Sequence, residues 1–255
     1  MTEHERRELE PPALTLSMGS LGPDVKRLQE WLCLHGFHTA IDGDFGPATE
    51  AALEAFQEHN ACAHESGVGP ETWAELTWPM RRAVRADIPT TDVSDRVLYV
   101  AHEHLACRPR EVGGPNSGPW VRLYMDGHEG KDWPWCAGFA TYVLRQALGH
   151  EEWRTFSCDE LAQRAHARWL LVCQPPKEWQ GPEHIKPGDL FLIRNTERWP
   201  HNWIHCGIVT AVHAEHFETI EGNTNQDGRR EGTEVCKRVR AFNARTDFVL
   251  LGDGP

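Results

Sequence analysis

The sequence predicts an α+β chain in two parts: a small N-terminal three-helix bundle, then a larger domain built on an antiparallel sheet. Three observations carry this. Apolar residues recur at helical spacing through the first 80 positions, and the same Gly-Pro helix start is used twice. One long apolar helix begins at Cys136. Short strand-like runs then gather late in the chain, over 190–194, 207–212, 216–221 and 234–239. Helices early and strands late indicate α+β with an antiparallel sheet.

The first segment runs from Ser17 to Met80. Val25, Leu28, Trp31 and Leu32 share a helical face behind Asp24, read as an N-cap, and Gly36 ends the run. Asp42-Gly43-Asp44-Phe45-Gly46-Pro47 is a turn leading into a second helix through Ala52, Leu53 and Phe56. A shorter echo, Gly67-Val68-Gly69-Pro70, leads into Thr72, Trp73 and Leu76. Proline has its φ preset for the first helical position, and glycine supplies the tight turn before it. Residues 81–93 are charged and proline-containing and read as a linker, so that 94–255 forms the second domain. There a helix begins near Ser94, with Val97, Leu98, Ala101 and Leu105 on one face, and Glu111 to Gly118 is a Gly- and Pro-rich loop.

Composition removes several functions. The chain of 255 residues and 29.0 kDa is 40% hydrophobic and 25% charged, within the globular range. It holds no apolar run of the ~20 residues that a membrane helix needs, so no membrane insertion is expected. Met1 to Glu10 is charged and unlike a secretory signal, so synthesis in the cytoplasm without a signal peptide is expected. A net charge of −12 without a basic stripe argues against nucleic acid as a partner. The eight cysteines form no C-x-x-C pair, which argues against a zinc knuckle, and most are read as free buried thiols.

One cysteine stands apart. Cys136 opens the helix carried by Phe139, Ala140, Val143, Leu144, Ala147 and Leu148, which Gly149 ends. A helix N-terminus favours thiolate over thiol, and the thiolate is the nucleophile. The leading base is His205, at the start of His205-Cys206-Gly207-Ile208-Val209, where Gly207 shares its strand face and leaves room beside the ring. Period two sends Cys206 to the opposite face. His201, in a Trp- and Pro-rich loop, is the alternative base. On the next strand, Thr219, Glu221 and Asn223 share a face, so a carboxylate or an amide can orient the imidazole. Trp133, Trp135 and Trp203, with Asn116 upstream, are candidate substrate contacts; core packing is the plainer role for a tryptophan.

These residues carry two resemblances. Gly22…Val25…Leu28-Gln29…Leu32…Gly36, Asp42-Gly43…Phe45-Gly46…Thr49…Ala52…Phe56-Gln57 and Gly67…Gly69…Thr72-Trp73…Leu76 resemble the three-helix type of peptidoglycan-binding domain. Pro134-Trp135-Cys136-Ala137…Phe139, Pro187-Gly188-Asp189-Leu190, His205-x-Gly207-Ile208-Val209 and Glu221-Gly222-Asn223 resemble the CHAP family of cysteine amidases and peptidases, papain-like relatives of the NlpC-type cell-wall peptidases. The upstream Glu111…Gly114…Asn116…Gly118 is similar to the subgroup found in cell-wall hydrolases. The resemblance implies a papain-like α+β domain with Cys136 as nucleophile, His205 as general base, Glu221 as orienting acid and Asn223 in support. It implies no cofactor. Calcium-dependent members carry an Asp-rich loop before the cysteine. Asp126 to Asp132 lacks the regular Asp alternation of such a loop, and no metal is expected. His102, His104 and Cys107 sit on a predicted helix where the two histidines point apart, so core or solvated roles are expected for them.

The expectation is a peptidoglycan hydrolase that cleaves an amide, as an N-acetylmuramoyl-L-alanine amidase or an endopeptidase. Its partner is peptidoglycan, reached after lysis as by an endolysin, or through machine-mediated delivery as by an antibacterial effector. An effector would have an immunity protein as a further partner. Two other readings stay open at this level: an inactive wall-binding protein, and an amidase acting on a soluble metabolite.

Overall fold

The structure is a computed structural model, described over residues 1–62, 67–168, 170–173, 182–195, 202–225 and 232–251. Contacts divide the chain into two compact units, Met1–Arg82 with Arg110–Asp132, and Ala83–Pro109 with Trp133–Pro255. The sequence reading put 94–255 in a single domain, whereas Arg110–Asp132 groups with the N-terminal unit. It also read a linker from Arg81, which instead lies within a helix, Trp78–Val84.

The first unit is helical. In chain order it holds α1 (Glu3–Leu9), α2 (Pro23–Leu34), α3 (Pro47–His59), α4 (Pro70–Leu76) and α5 (Trp78–Val84). Helices α2, α3 and α4 all begin the same way, with Gly22, Gly46 and Gly69 as N-caps and proline at the first helical position. Asp24 is therefore a first-turn residue and not the cap, because Pro23 takes N1, where its missing N–H costs nothing. Each turn is tied to the helix before it by a buried glutamine. Gln29 Nε2 donates to Asp42 Oδ1, Asp44 O and Thr49 Oγ1, while its Oε1 accepts from the Asp42 and Gly43 amides. Gln57 Nε2 repeats the arrangement on a smaller scale, with Gly67 O and Thr72 Oγ1. Leu28, Leu32, Phe56, Trp73 and Leu76 fill the core that these ties enclose.

Two segments that sequence periodicity did not mark complete this unit. Helix α1 is held by a capping box between Thr2 and Glu5. The short helix Pro119–Tyr124 brings in Arg122, whose guanidinium meets Glu8 at 2.7 Å, Glu30 at 2.7 Å and Glu129 at 2.8 Å. Glu8 and Glu30 are buried, and burial pushes the Glu30 carboxyl up despite its arginine partner. Removing the cation would strand both carboxylates. Arg122→Met is expected to destabilise the protein by about 3–5 kcal/mol, the usual cost of breaking a buried ion cluster from one side. Denaturant unfolding measures it, and a loss below about 1 kcal/mol would show that the cluster stabilises nothing.

The second unit continues the numbering with α6 (Val93–Ala106), the Pro119–Tyr124 helix of the first unit being α7, then α8 (Cys136–Leu148) and α9 (Cys158–Ala167). The strands are β1 (Leu171–Val172), β2 (Leu190–Arg194), β3 (Trp203–Val212), β4 (His216–Thr224), β5 (Glu234–Ala241) and β6 (Thr246–Val249). Among the described residues they form one antiparallel sheet in the order β1-β6-β2-β3-β4-β5. The protein is thus α+β with a helical N-terminal part. Ile185, Phe191, Val209, Phe217 and Phe248 form a buried cluster on the sheet. Helix α8 lies against Gly222 of β4, where a Cβ would come within 2.6 Å of Phe139 Cβ and 2.9 Å of Trp135 Cζ3. Glycine there lets the N-terminal turn of α8 approach the sheet backbone closely. His104 is a core residue of α6, with Nε2 3.0 Å from Gln146 Oε1, while His102 is exposed.

Candidate active site

Cys136 is the first residue of α8. No side chain caps this helix, so its free amides and macrodipole face the first turn, where the sulfur sits. The start of the helix is anchored here because Trp135 and Phe139 are buried and pack against Gly222 of β4.

His205 lies inside β3, two residues after its start at Trp203, and not at the strand's beginning. Its Nε2 is 2.7 Å from Glu221 Oε2 on β4, and the ring is buried. That contact leaves Nδ1, buried and without a nitrogen or oxygen partner, for the Cys136 sulfur. Gly207, on the same strand face, makes the arrangement fit. A Cβ there would come 2.8 Å from both Glu221 Cγ and Phe191 Cε1. The room beside the imidazole is therefore filled by the carboxylate and an aromatic edge.

Glu221 is fully buried and every oxygen is engaged. Besides His205 it accepts from Thr219 Oγ1 at 2.6 Å and from Arg240 Nε and Nη2, each at 2.5 Å. Burial would raise its carboxyl, but the Arg240 fork and then His205 outweigh that and hold it down at about 2. For His205, burial favours the neutral ring, yet Cys136 and Glu221 together push it up to about 9. Cys136 is pulled well below an ordinary thiol, first by the Cys158 and Cys206 thiols that hydrogen-bond to it and then, against burial, by His205. The three groups thus favour a thiolate–imidazolium pair backed by a carboxylate.

One expectation is extended at this point and one changes. Period two sends Cys206 to the strand face opposite His205, and the pairing Ile193–His205, Leu192–Cys206, Phe191–Gly207 is regular there. That face is not empty, because the Cys206 sulfur lies within 4.8 Å of both Cys136 and Cys158. Asn223 was read as sharing the face of Glu221. A register shift between Glu221 and Thr224 puts it at φ +52, buried, with Oδ1 unpaired among the described residues.

The tryptophans divide. Trp135 is fully buried against Gly222 and offers no ring face to a ligand, because the turn that carries it is packed on the sheet. Trp203 is also buried. Its Nε1 donates to Asp247 Oδ2 at 2.7 Å, and its ring lines a cavity with Ala162, His166 and Leu171. Trp133 is half-buried, edge-on to Phe156. Asn116 belongs to the other unit, at φ +48, and donates to Lys131 O at 3.2 Å. His201 lies outside the described residues. Sequence reasoning missed Cys158 and Arg240. The first has a legible signal, since Ser157 and Glu160 before Leu161 and Ala162 mark a capped helix start, and Ser157 Oγ accepts from the Glu160 amide.

Comparison with known proteins bears on the other unit. Residues 22–76 match the family described as "Putative peptidoglycan binding domain". A zinc D-Ala-D-Ala carboxypeptidase of Streptomyces albus G is 42% identical over 65 residues, which are 24% of this chain and 26% of that protein. The chain spans about a quarter of the length of the relative it matches, so the likeness is to a part of each protein. The N-terminal part of the chain is thus similar to a peptidoglycan-binding domain over residues 22–76.

Proposed function

We propose that the protein is a cysteine-dependent peptidoglycan hydrolase that cleaves an amide bond, brought to its polymer by the N-terminal domain. The observation that carries this reading is the buried Cys136–His205–Glu221 series, in which the sulfur is pulled towards thiolate and the imidazole towards imidazolium. The thiolate attacks the amide carbonyl, and the imidazolium returns a proton to the leaving amine. Water, deprotonated by the neutral ring, then releases the acyl group from sulfur. Glu221 keeps the ring oriented and its charge balanced throughout. The peptidoglycan-binding match supports the substrate class. The partial relative is named for a peptidase, but its zinc is not carried to this chain, because three quarters of each protein lies outside the match. The proposed place of action is the cell wall, reached after lysis or by machine-mediated delivery.

Purified sacculi incubated with the reduced, metal-free protein are expected to yield fragments with a new free amine or a freed muramyl carboxyl, read by mass spectrometry of the muropeptides. No new reducing ends are expected, because thiolate chemistry acts on acyl groups and not on glycosidic carbons. Newly formed reducing sugar would overturn the cysteine mechanism. Release of intact stem peptide identifies the amidase, and cleavage within the stem identifies the endopeptidase.

A further inference from the structure

Around Cys136 the chain gathers two thiols that the hydrolytic steps do not use. Cys136 opens α8, Cys158 opens α9, and Cys206 lies on β3, so three separate elements deliver one sulfur each. Their sulfurs all lie within 4.8 Å of one another, and Cys136 Sγ is 3.7 Å from Cys158 Sγ. We propose that Cys136, Cys158 and Cys206 form a three-thiolate site for a single thiophilic divalent cation of the Zn2+ class. Binding rests on the three sulfurs alone; its consequence for turnover rests on the hydrolase reading.

The distances suit the ion. Tetrahedral ligands at the usual Zn–S length of about 2.3 Å stand about 3.8 Å apart, close to the Cys136–Cys158 separation. Three thiolates select soft cations over calcium or magnesium, which take oxygen donors. Cys136 and Cys158 are both the first residues of their helices, 13 and 10 residues long, and the Cys158 and Cys206 thiols, held protonated beside Cys136, give up their protons as the ion binds. The three sulfurs leave the fourth position of a tetrahedral ion to water or another small ligand. Cys136 and Cys158 keep 5% and 7% of their surface exposed, which gives an ion its approach, while Cys206 forms the closed floor. The spacing 136, 158, 206 has none of the local pairs by which zinc sites are read, so the cluster exists only in the fold.

A cation held by Cys136 occupies the lone pair that attacks the carbonyl. Metal binding and acyl transfer therefore exclude one another, and the ion acts as a reversible brake on the nucleophile.

The test titrates Co2+ into the full chain, reduced with a phosphine and freed of metal. One equivalent should produce the intense visible bands of tetrahedral cobalt with sulfur-to-metal charge transfer, and Zn2+ should abolish them. Cys158→Ser and Cys206→Ser should each weaken the affinity by about 10-fold or more, in line with losing one ligand. A weak octahedral spectrum would overturn the site, as would affinities unchanged in both variants. Should either variant fail to fold, wild-type alkylation decides: bound Zn2+ should slow labelling of Cys136, Cys158 and Cys206 together, and slowing of Cys136 alone would refute a shared site. The hydrolase reading is judged separately, by the metal-free wild type acting on sacculi. If it cleaves, Zn2+ should inhibit it at lower concentration than it inhibits Cys158→Ser or Cys206→Ser, each compared with its own metal-free rate.

Discussion

Replacing Cys136 with alanine is expected to abolish the proposed peptidoglycan cleavage, a loss of more than about 1000-fold, while the protein stays folded. The two sulfurs beside it cannot take its place. Cys158 and Cys206 donate to Cys136, and both are held well above an ordinary thiol, so neither supplies a thiolate near neutral pH. Cys236, at about 11, and Cys62 are raised by burial as well. Alanine is well tolerated at the start of α8, and the backbone hydrogen bond from the Phe139 amide to Trp135 O does not involve the side chain. Circular dichroism and the melting temperature should therefore resemble the wild type. Alkylation gives an independent reading: a small iodoacetamide dose at neutral pH should label Cys136 first and remove activity in proportion. If Cys136→Ala keeps its activity while Cys206→Ala or Cys158→Ala loses it, the nucleophile has been misassigned.

What the sequence made legible follows from how local each signal is. The Gly-Pro starts at Gly46 and Gly69 and the helix opened by Cys136 depend on neighbours a few residues away, and all three form as read. Strand β2, Leu190–Arg194, forms with the bounds that its apolar run suggested. The misses are non-local. Thr246-Asp247-Phe248-Val249 is too short and mixed to announce a strand, and its place between β1 and β2 is set by pairing with residues far away in sequence. The ion cluster of Arg122 joins residues 92 and 114 positions apart, which no window along the chain can see. At the candidate site, His205 and Glu221 were readable as residues of two successive strands, and their side chains meet at 2.7 Å. The meeting of Cys206 with Cys136 and Cys158 was not readable, because it joins a strand to two helix starts far away in sequence.

Glu221→Gln is expected to lower kcat/KM at pH 7 by about 10–1000-fold and to move the basic limb of the pH profile down by more than one unit. In the wild type the ion pair exists above the depressed value of Cys136 and below about 9, where His205 loses its proton. Activity should therefore rise out of acid, hold across neutrality and fall near pH 9. Burial alone would make His205 a weak base, and the charge on Glu221 is part of what opposes it. Glutamine keeps a hydrogen bond to Nε2 but not the charge, so the imidazolium is lost at a lower pH. The same substitution leaves Arg240 facing a neutral amide across the former fork. Stability should change in a matching direction. Glu221 is held at about 2, so its ionised form stabilises the fold above the ordinary carboxylate range, and that contribution is lost as pH falls through about 2. The glutamine variant should lack this contribution at neutral pH and show a flatter acid limb in its melting temperature. A variant that loses activity uniformly at every pH, with the basic limb still near 9, would mean that Glu221 acts only as a packing residue and that another group holds the proton on His205.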